Sequence, residues 1–327
     1  MGTGLTRRRM IQLGSTAALP LALPTWAQRW PDRQIRLMSV FATGGLGDAY
    51  CRAYGEYLHK ALGQPVIVDS RPGGAGNIAA LELKRSPPDG NTLLLSSASQ
   101  LASHRVVFKV PLYDPEKDFT IISALPQANL SLVVQKGLGV KDLNGLRALA
   151  SKSSVNLGTP GAASFAHVTT VEMSKLMNVK LEPVHYRGEI PVMTDFLGGS
   201  LQGCLVTWNV AQQLIASGKG QTVAVSGKRR MSKQPDVPTF AEQGLTSDAF
   251  AIMSYLPILA LAGLPDETAN TLSTQFVEAG KSEAIKKLND FYGNDESAQD
   301  RSSVGRLYAK EAPIWAKLVA GLNLPQQ

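Results

Sequence analysis

The chain has 327 residues, of which 44% are hydrophobic and 18% are charged. This composition excludes a disordered chain, and the length is sufficient for a core divided between two domains. The formal net charge is +7, but no basic stripe interleaved with aromatic residues occurs, so we do not expect nucleic-acid binding.

The first residues have the pattern of a signal peptide. Three consecutive arginines, Arg7 to Arg9, precede an apolar run at 10–23, and Thr25 and Ala27 are small residues at the cleavage positions. The arginines also fit a twin-arginine signal, so both export routes stay open. A membrane anchor is the alternative, but the apolar run is shorter than the ~20 residues that a span needs. We predict cleavage after Ala27 and a periplasmic protein of charge +4, because the cleaved segment contains three arginines and no acid.

Short β-rich runs then alternate with amphipathic segments. The pattern predicts strands at 35–40, 66–69, 92–96, 155–158, 181–186 and 201–206, and helices at 48–62, 165–177, 191–197 and 211–216. Such alternation indicates doubly wound α/β domains, in which parallel strands are covered by helices on both faces.

Three extended apolar runs fit two crossings between domains. They lie at 120–125, 130–134 and 222–226. We therefore predict a signal peptide at 1–27, a first part of domain 1 at 28–125, domain 2 at 126–224, and the completion of domain 1 with C-terminal helices at 225–327.

Cysteine and histidine usage gives no support for a metal or a disulfide framework. Only Cys51 and Cys204 occur, one in a helical pattern and one in an apolar strand, which predicts two separate buried thiols. A bridge between them is the alternative. The four histidines have no metal-ligand spacing, so we predict neither a metal nor a cofactor.

A glycine-rich loop follows the first predicted strand. Its glycines leave backbone N–H groups uncovered, and the next helix adds partial positive charge, so a carboxylate or phosphate can bind there. Asp48 either caps the helix and holds the loop or contacts the ligand. The predicted contacts in this loop are Phe41, Ala42, Thr43, Gly44, Gly45 and Asp48.

A second loop, residues 158–167, runs from a strand into the helix at 165–177. Ser164 can cap this helix or donate its hydroxyl to an anion, and the N–H groups of residues 164–166 point the same way. The predicted contacts here are Ala163, Ser164, Phe165, Ala166 and His167. Because one loop lies in each domain, the two loops can hold a small acid from both sides of a cleft.

Further side chains can complete the lining of this cleft. Ser97 and Ser99 follow the predicted strand at 92–96 and offer hydroxyl groups, although serines at a strand end need no function. Phe165 and Trp208 offer apolar surface, with core packing as the alternative for both.

Enzyme motifs are missing from the chain. The first loop lacks the third glycine of a dinucleotide fingerprint, and neither GxxxxGK[ST] nor GxSxG occurs. Ser164 and His167 lie three residues apart at one helix end, which is a capping arrangement more than a nucleophile and its base. An esterase or isomerase using this pair is therefore the weakest hypothesis.

The order of short motifs along the chain resembles the Bug-type receptors, the extracytoplasmic solute-binding components of tripartite tricarboxylate transporters. The motifs are residues 30–33 (WPDR), 35–37 (IRL), Gly44, Gly45, Asp48, 62–66 (LGQPV), 71–78 (RPGGAGNI), 88–90 (PDG), 92–95 (TLLL), 113–119 (YDPEKDF), 186–188 (YRG), Pro191, 195–199 (DFLGG), 235–239 (PDVPT) and 242–245 (EQGL). Each motif alone is weak, and their shared order is what makes the resemblance specific.

The resemblance implies a class II periplasmic-binding-protein fold, with two α/β domains that close on ligand about a two-strand hinge. It also implies a ligand such as a di- or tricarboxylate, an aromatic acid or an amino acid, held largely by backbone groups of loops 41–48 and 161–167. The expected partners are membrane transporter subunits, and we expect a monomer that is not an enzyme. A periplasmic sensor subunit for a two-component system is the alternative.

This chain departs from the family pattern in the region that sets specificity. Ala42 or Thr43 stands where family receptors have proline, and Ala162 and Ala163 replace a usual Asn-Gly pair. The bulky Phe165 replaces a small residue or proline. Gln202 replaces a frequent acid. The resemblance therefore supports the general function of a solute receptor more strongly than it supports any particular substrate.

Overall fold

The structure is a computed structural model that describes Met1 and residues 30–126, 129–252 and 255–324. The predicted signal peptide and its cleavage site after Ala27 lie outside the described residues. Within the described part of the chain, no helix combines the length and the apolar character that a membrane crossing requires.

Strands and helices alternate along most of the chain. The strands are β1 (Ile35–Ser39), β2 (Val66–Ser70), β3 (Thr92–Leu95), β4 (Phe119–Pro126), β5 (Leu130–Gln135), β6 (Val155–Thr159), β7 (Leu181–His185), β8 (Gly203–Thr207), β9 (Gly220–Val225), β10 (Tyr255–Leu261) and β11 (Gln299–Asp300). The helices are α1 (Leu46–Leu62), α2 (Asn77–Lys84), α3 (Ala98–Val107), α4 (Pro115–Asp118), α5 (Leu143–Ala150), α6 (Phe165–Met177), α7 (Glu189–Leu197), α8 (Trp208–Ala216), α9 (Asp248–Ala251), α10 (Asp266–Gly280), α11 (Glu283–Tyr292) and α12 (Arg301–Ala320).

The predicted strands and helices are all present, with ends shifted by up to a few residues. Helix α1 ends as expected, because Gly63 adopts the left-handed conformation (φ 72°) that closes a helix. The largest shift is at α8, which begins at Trp208 instead of residue 211. The residues that follow β3 form the start of α3, so Ser97 is the N-cap residue of this helix and Ser99 lies within it.

The strands form two sheets, which confirms the predicted two-domain α/β class. The first has the order β11-β4-β10-β3-β1-β2 and the second β7-β6-β8-β5-β9. We call the domains around them the first and the second lobe. Both sheets are mixed: β1, β2 and β3 are parallel, as are β6, β7 and β8, whereas β10 and β5 run antiparallel to their neighbours.

The chain crosses between the lobes twice. It passes from β4 to β5, and it returns from β9 through residues 226–252 to β10. The prediction assigned residues 225–327 to the first lobe. In the structure, Phe240 and Phe250 instead stack with ring centroids 4.8 Å apart inside the second-lobe core, because this segment pairs with that lobe's edge through Val225 and Thr239.

Helix α12 belongs to both lobes. Val304 and Tyr308 near its start lie in a first-lobe core cluster, whereas Trp315 and Val319 near its end lie in the second-lobe core. Trp315 is 2% exposed and meets Phe165 edge-on at 5.6 Å between ring centroids. The C-terminal helix therefore connects the lobes by hydrophobic packing as well as by the chain itself.

Replacing Trp315 with alanine should destabilise the protein strongly, because it removes a large buried side chain from the core that joins α12 to the second lobe. We expect a loss of about 3–5 kcal/mol in the free energy of unfolding, measured by urea denaturation followed by circular dichroism. Phe291→Ala is the control, since Phe291 is 54% exposed. Equal unfolding midpoints for the two variants would contradict the assigned role of Trp315.

Candidate functional site

The parallel strands of the first lobe end side by side. The N–H of Val40 donates to the carbonyl of Leu95 (3.1 Å), and the N–H of Arg71 donates to the carbonyl of Ser39 (2.8 Å). These bonds join the segments that follow β1, β2 and β3. The glycine-rich loop 41–48 therefore lies at the carboxyl edge of the sheet, where ligands bind in open α/β folds.

Loop 41–48 is held by the side chain of Asp48. Its carboxylate accepts the N–H of Gly44 (3.1 Å) and the Nε–H of Arg52 (3.0 Å). Burial opposes ionisation of Asp48, but the bonds from Arg52 and Gly44 outweigh it and lower the pKa. Gly44 has φ +85°, a conformation that favours glycine. Asp48 thus has the loop-holding role that we considered beside direct ligand contact.

The tip of this loop is open to solvent. Ala42, Thr43, Gly44 and Gly45 are exposed, whereas the Phe41 ring is partly buried and covers Gly47. Among the residues that the structure describes, no acceptor takes the N–H of Ala42 or Thr43. These donors are therefore available to an anion.

Ser97 and Ser99 lie at the neighbouring strand end but below the surface. Each is 7% exposed, and their hydroxyl oxygens are 2.8 Å apart. Ser103 donates its hydroxyl to the carbonyl of Ser99 at 2.6 Å. The structure thus places Ser97 and Ser99 near the same sheet edge, where one hydroxyl donates a hydrogen bond to the other.

The parallel strands of the second lobe end in the same way. The N–H of Tyr186 donates to the carbonyl of Thr159 (3.0 Å), and the N–H of Gly188 donates to the carbonyl of Pro160 (3.1 Å). The carboxylate of Glu189 then bonds Thr207 at the end of β8. The segments after β6, β7 and β8 are therefore joined at one edge.

Hydrogen bonds of the Ser164 and His167 side chains hold loop 161–167 in shape. Ser164 donates its hydroxyl to the carbonyl of Gly161 (2.7 Å) and accepts the N–H of His167 (3.2 Å), so it caps α6. Ala163 has φ +55°, which is uncommon for a residue with a side chain, and its N–H donates to Nδ1 of His167 (3.1 Å). Such backbone outliers concentrate at functional sites.

This loop also presents uncommitted donors. The N–H groups of Ala162, Ser164, Phe165 and Ala166 find no acceptor within the described part of the chain. They lie at the N-terminus of a 13-residue helix, where the backbone dipoles add partial positive charge. The arrangement can bind a carboxylate or another small anion without a cationic side chain.

His167 supports the loop as a neutral imidazole. It is 4% exposed, and its ring lies 4.2 Å from that of His185. Burial first, and the neighbouring His185 second, lower its pKa to about 4. His167 approaches Ser164 with its backbone N–H and not with its ring, which speaks against the nucleophile-and-base hypothesis.

The two aromatic candidates differ in position. Phe165 is 6% exposed and packs in the second-lobe core against Trp315, so core packing, the alternative that we considered, describes it. Trp208 is partly buried at the start of α8 and lies against Gly293 of the first lobe. A Cβ atom on Gly293 would lie only 2.8 Å from the Cβ of Trp208. Trp208 is thus at the junction of the lobes.

Sequence reasoning missed two residues that lie where the two sheet edges meet, Tyr292 and Glu189. Tyr292, at the end of α11 in the first lobe, is 8% exposed. Burial raises its pKa, and the nearby charges of Glu189 and Asp48 raise it further. One carboxylate belongs to each lobe, so the two edges converge around Tyr292. A tyrosine before a C-terminal glycine and an acid in a first helical turn are too common to identify this site from sequence.

Cysteines and acids supply no alternative site in the described residues. Cys51 and Cys204 are both buried and free, one in each lobe, as expected. Burial raises the pKa of both thiols, that of Cys51 to about 12. Within the described ranges, no group of three or more His, Cys, Asp or Glu side chains could hold a metal ion.

A separate cavity of about 400 Å³ lies at the lobe junction between β4, β10 and α12. Its charged lining includes Lys228, Arg306, Lys310 and Glu311, and burial raises the pKa of Glu311 to about 7. None of the predicted contact residues lines this cavity.

Comparison with known proteins places this architecture in a family. The model of the tripartite tricarboxylate transporter family receptor matches residues 51–324. A UPF0065 protein of Bordetella bronchiseptica is 29% identical over 98% of this chain and 94% of its own. The protein BugT of Bordetella pertussis is 28% identical over 93% of each chain.

A solved structure of the R. palustris protein Rpa4515 with adipate has a similar fold. It is 26% identical, covers 89% of this chain and 98% of its own, and superposes with a TM-score of 0.79. The two-domain periplasmic-binding-protein fold that the resemblance implied is thereby confirmed.

Lowering the pH should weaken the fold through His167. Its pKa is about 4 in the native state and ~6.5 in an unfolded chain, so only the unfolded state binds the proton between these values. The free energy of unfolding should therefore decrease as the pH falls from 6.5 towards 4, by up to roughly 3 kcal/mol. In His167→Asn, whose Oδ1 can still accept the Ala163 N–H but does not titrate, the decrease measured by urea denaturation should be smaller. Identical pH dependence in both proteins would contradict this assignment.

Proposed function

This chain belongs to the tripartite tricarboxylate transporter receptor family, and from that premise we propose that it captures a small carboxylate between its two lobes. The captured solute is then presented to membrane transporter subunits. The protein works in the periplasm as a monomer, after removal of residues 1–27. Its role is binding, not catalysis.

The observation that carries the proposal is the pair of loops with uncommitted N–H groups. Thr43 offers its N–H on the first lobe, and Ala162 and Ser164 offer theirs on the second. Charge-assisted hydrogen bonds from backbone N–H groups to a carboxylate are short and strong, so a ligand of matching length would bridge the lobes. The relative Rpa4515, solved with the dicarboxylate adipate, supports a carboxylate as the ligand class.

Closure follows from the way the lobes are joined. One crossing connects β4 of the first lobe to β5 of the second, and the other connects β9 of the second lobe to β10 of the first. Within the first lobe β4 and β10 are antiparallel neighbours, and within the second lobe β5 and β9 are. A ligand that contacts both lobes only when they are closed binds the closed form better, and it shifts the population towards that form. The closed form is the signal that the membrane subunits recognise.

Binding of a small carboxylate should raise the melting temperature of the purified protein. A ligand at about 100 times its dissociation constant adds ~2.7 kcal/mol of stability, which corresponds to roughly several degrees. The measurement is a thermal-shift screen of aliphatic and aromatic mono-, di- and tricarboxylates, with amino acids and their amides. Unchanged melting temperatures across the whole panel, confirmed by calorimetry on protein refolded to remove bound solute, would contradict the proposal.

Replacing Ser164 with alanine should weaken carboxylate binding by about tenfold or more, because it removes the hydroxyl that shapes the second-lobe loop and caps α6. Isothermal titration calorimetry with the best ligand of the screen measures the change.

Ser282→Ala is the matched control. Ser282 caps α11 and donates to the carbonyl of Ala279, so it makes the same two contacts as Ser164 away from the loop. Both variants should lose about 1 kcal/mol of stability, but only Ser164→Ala should lose affinity. Equal affinities in the two variants would remove Ser164 from the site.

A further inference from the structure

A carboxylate of the protein itself stands at the second-lobe edge of the cleft. Glu189 directly follows Gly188 as the first residue of α7. Its Oε1 accepts the N–H of Thr207 at 2.7 Å, and its Oε2 accepts the hydroxyl of Thr207 at 2.6 Å. Thr207 is the N-cap residue of α8, so Glu189 occupies the place at that helix terminus where an anion is favoured.

The charge of Glu189 is not neutralised by a cation. Within the described residues, no lysine, arginine or histidine forms an ion pair with it, in contrast to Asp48, which is paired with Arg52. Burial raises the pKa of Glu189 against the two bonds from Thr207, which act in the opposite direction. Two hydrogen bonds donated by Thr207 stabilise the ionised carboxylate, and in that form Glu189 makes this part of the cleft negative.

The field of this carboxylate reaches across the lobes. Tyr292, on the first lobe, has a pKa raised by burial, by Glu189 and by Asp48. Trp208, the residue after Thr207, lies against Gly293, the residue after Tyr292. The negative charge therefore lies where the two lobes meet and not on an outer surface.

The second lobe has two helix N-termini that favour an anion, those of α6 and α8, and only that of α8 is bonded by a carboxylate of the protein. The N-terminus of α6 keeps the N–H groups of Ala162, Ser164 and Phe165 uncommitted, whereas the N-cap of α8 is already bonded by Glu189. A dicarboxylate that bonds the first place would bring its second charge towards Glu189, and like charges in a partly buried site repel strongly.

We propose that Glu189 restricts this receptor to small ligands with a single carboxylate, whose other end is uncharged or cationic. The inference rests on the proposed function, because it assumes that one carboxylate binds at the loops. An amide or ammonium group at the far end can donate hydrogen bonds towards Glu189, which a second carboxylate cannot do.

The test compares ligands of equal length that differ only at one end. One series is adipate, adipic acid monoamide, 6-aminohexanoate and hexanoate, and the other is succinate, succinamate, 4-aminobutyrate and butyrate. Dissociation constants are measured at pH 7 by isothermal titration calorimetry for the wild-type protein. We expect the best monocarboxylate of a series to bind at least about tenfold more tightly than its dicarboxylate.

The variant Glu189→Gln removes the charge and keeps the shape. The amide oxygen can accept the N–H of Thr207, and the amide nitrogen can donate to the threonine hydroxyl oxygen. This variant should reduce the preference for monocarboxylates at least about tenfold. Glu182→Gln removes one charge from an exposed position of the same lobe and should leave the preference unchanged, which controls for net charge.

Each outcome decides between the two proposals. A wild-type protein that binds the dicarboxylate as well as or better than the monocarboxylates overturns the role of Glu189 and leaves the receptor function standing. An unchanged preference in Glu189→Gln, with circular dichroism like that of the wild type, also overturns that role. If Glu189→Gln does not fold, the wild-type comparison alone decides. Absence of binding by every member of both series counts against the receptor function itself.

Discussion

The site depends on one constraint, which is that parallel strands end at a common edge. Three parallel strands in each lobe bring loops from distant parts of the chain together, and each loop is followed by a helix whose first N–H groups have no partner within the helix. In the first lobe Asp48, in the first turn of α1, fixes the preceding loop by accepting the N–H of Gly44. In the second lobe Ser164 caps α6 by accepting the N–H of His167. The remaining donors have no acceptor among the described residues, and the proposed carboxylate site rests on them.

The placement of acids divides this receptive surface. Asp48 is paired with Arg52 and contributes shape more than charge, whereas among the residues that the structure describes only the neutral groups of Thr207 bond Glu189. The buried carboxylate of Asp48 and the partly buried carboxylate of Glu189 therefore have different electrostatic effects on Tyr292 and its surroundings. The open N–H groups of loop 161–167 and the carboxylate of Glu189 have opposite electrostatic character, which is the reason for proposing a ligand with unlike ends.

The lobes are joined by more than the two chain crossings. Helix α12 starts in the first-lobe core and ends in the second-lobe core. Near its end, Trp315 packs against Phe165 of loop 161–167. Because Phe165 is the first residue of α6, this contact places the end of α12 against the start of the helix that follows loop 161–167. The Phe165 side chain thus belongs to the second-lobe core, while its backbone is part of the candidate site.

The sequence by itself determined the local features. Hydrophobic periodicity predicted the strands and helices around both loops, and the glycines and Ser164 marked where α1 and α6 begin, because these signals act between residues close in the chain. The shared order of short motifs also identified the family. Only the tertiary structure decided that Phe165 is buried by Trp315, 150 residues later, and that Glu189 at the start of α7 bonds Thr207 at the end of β8. Those contacts depend on sheet order and helix packing between distant segments, which local patterns do not encode.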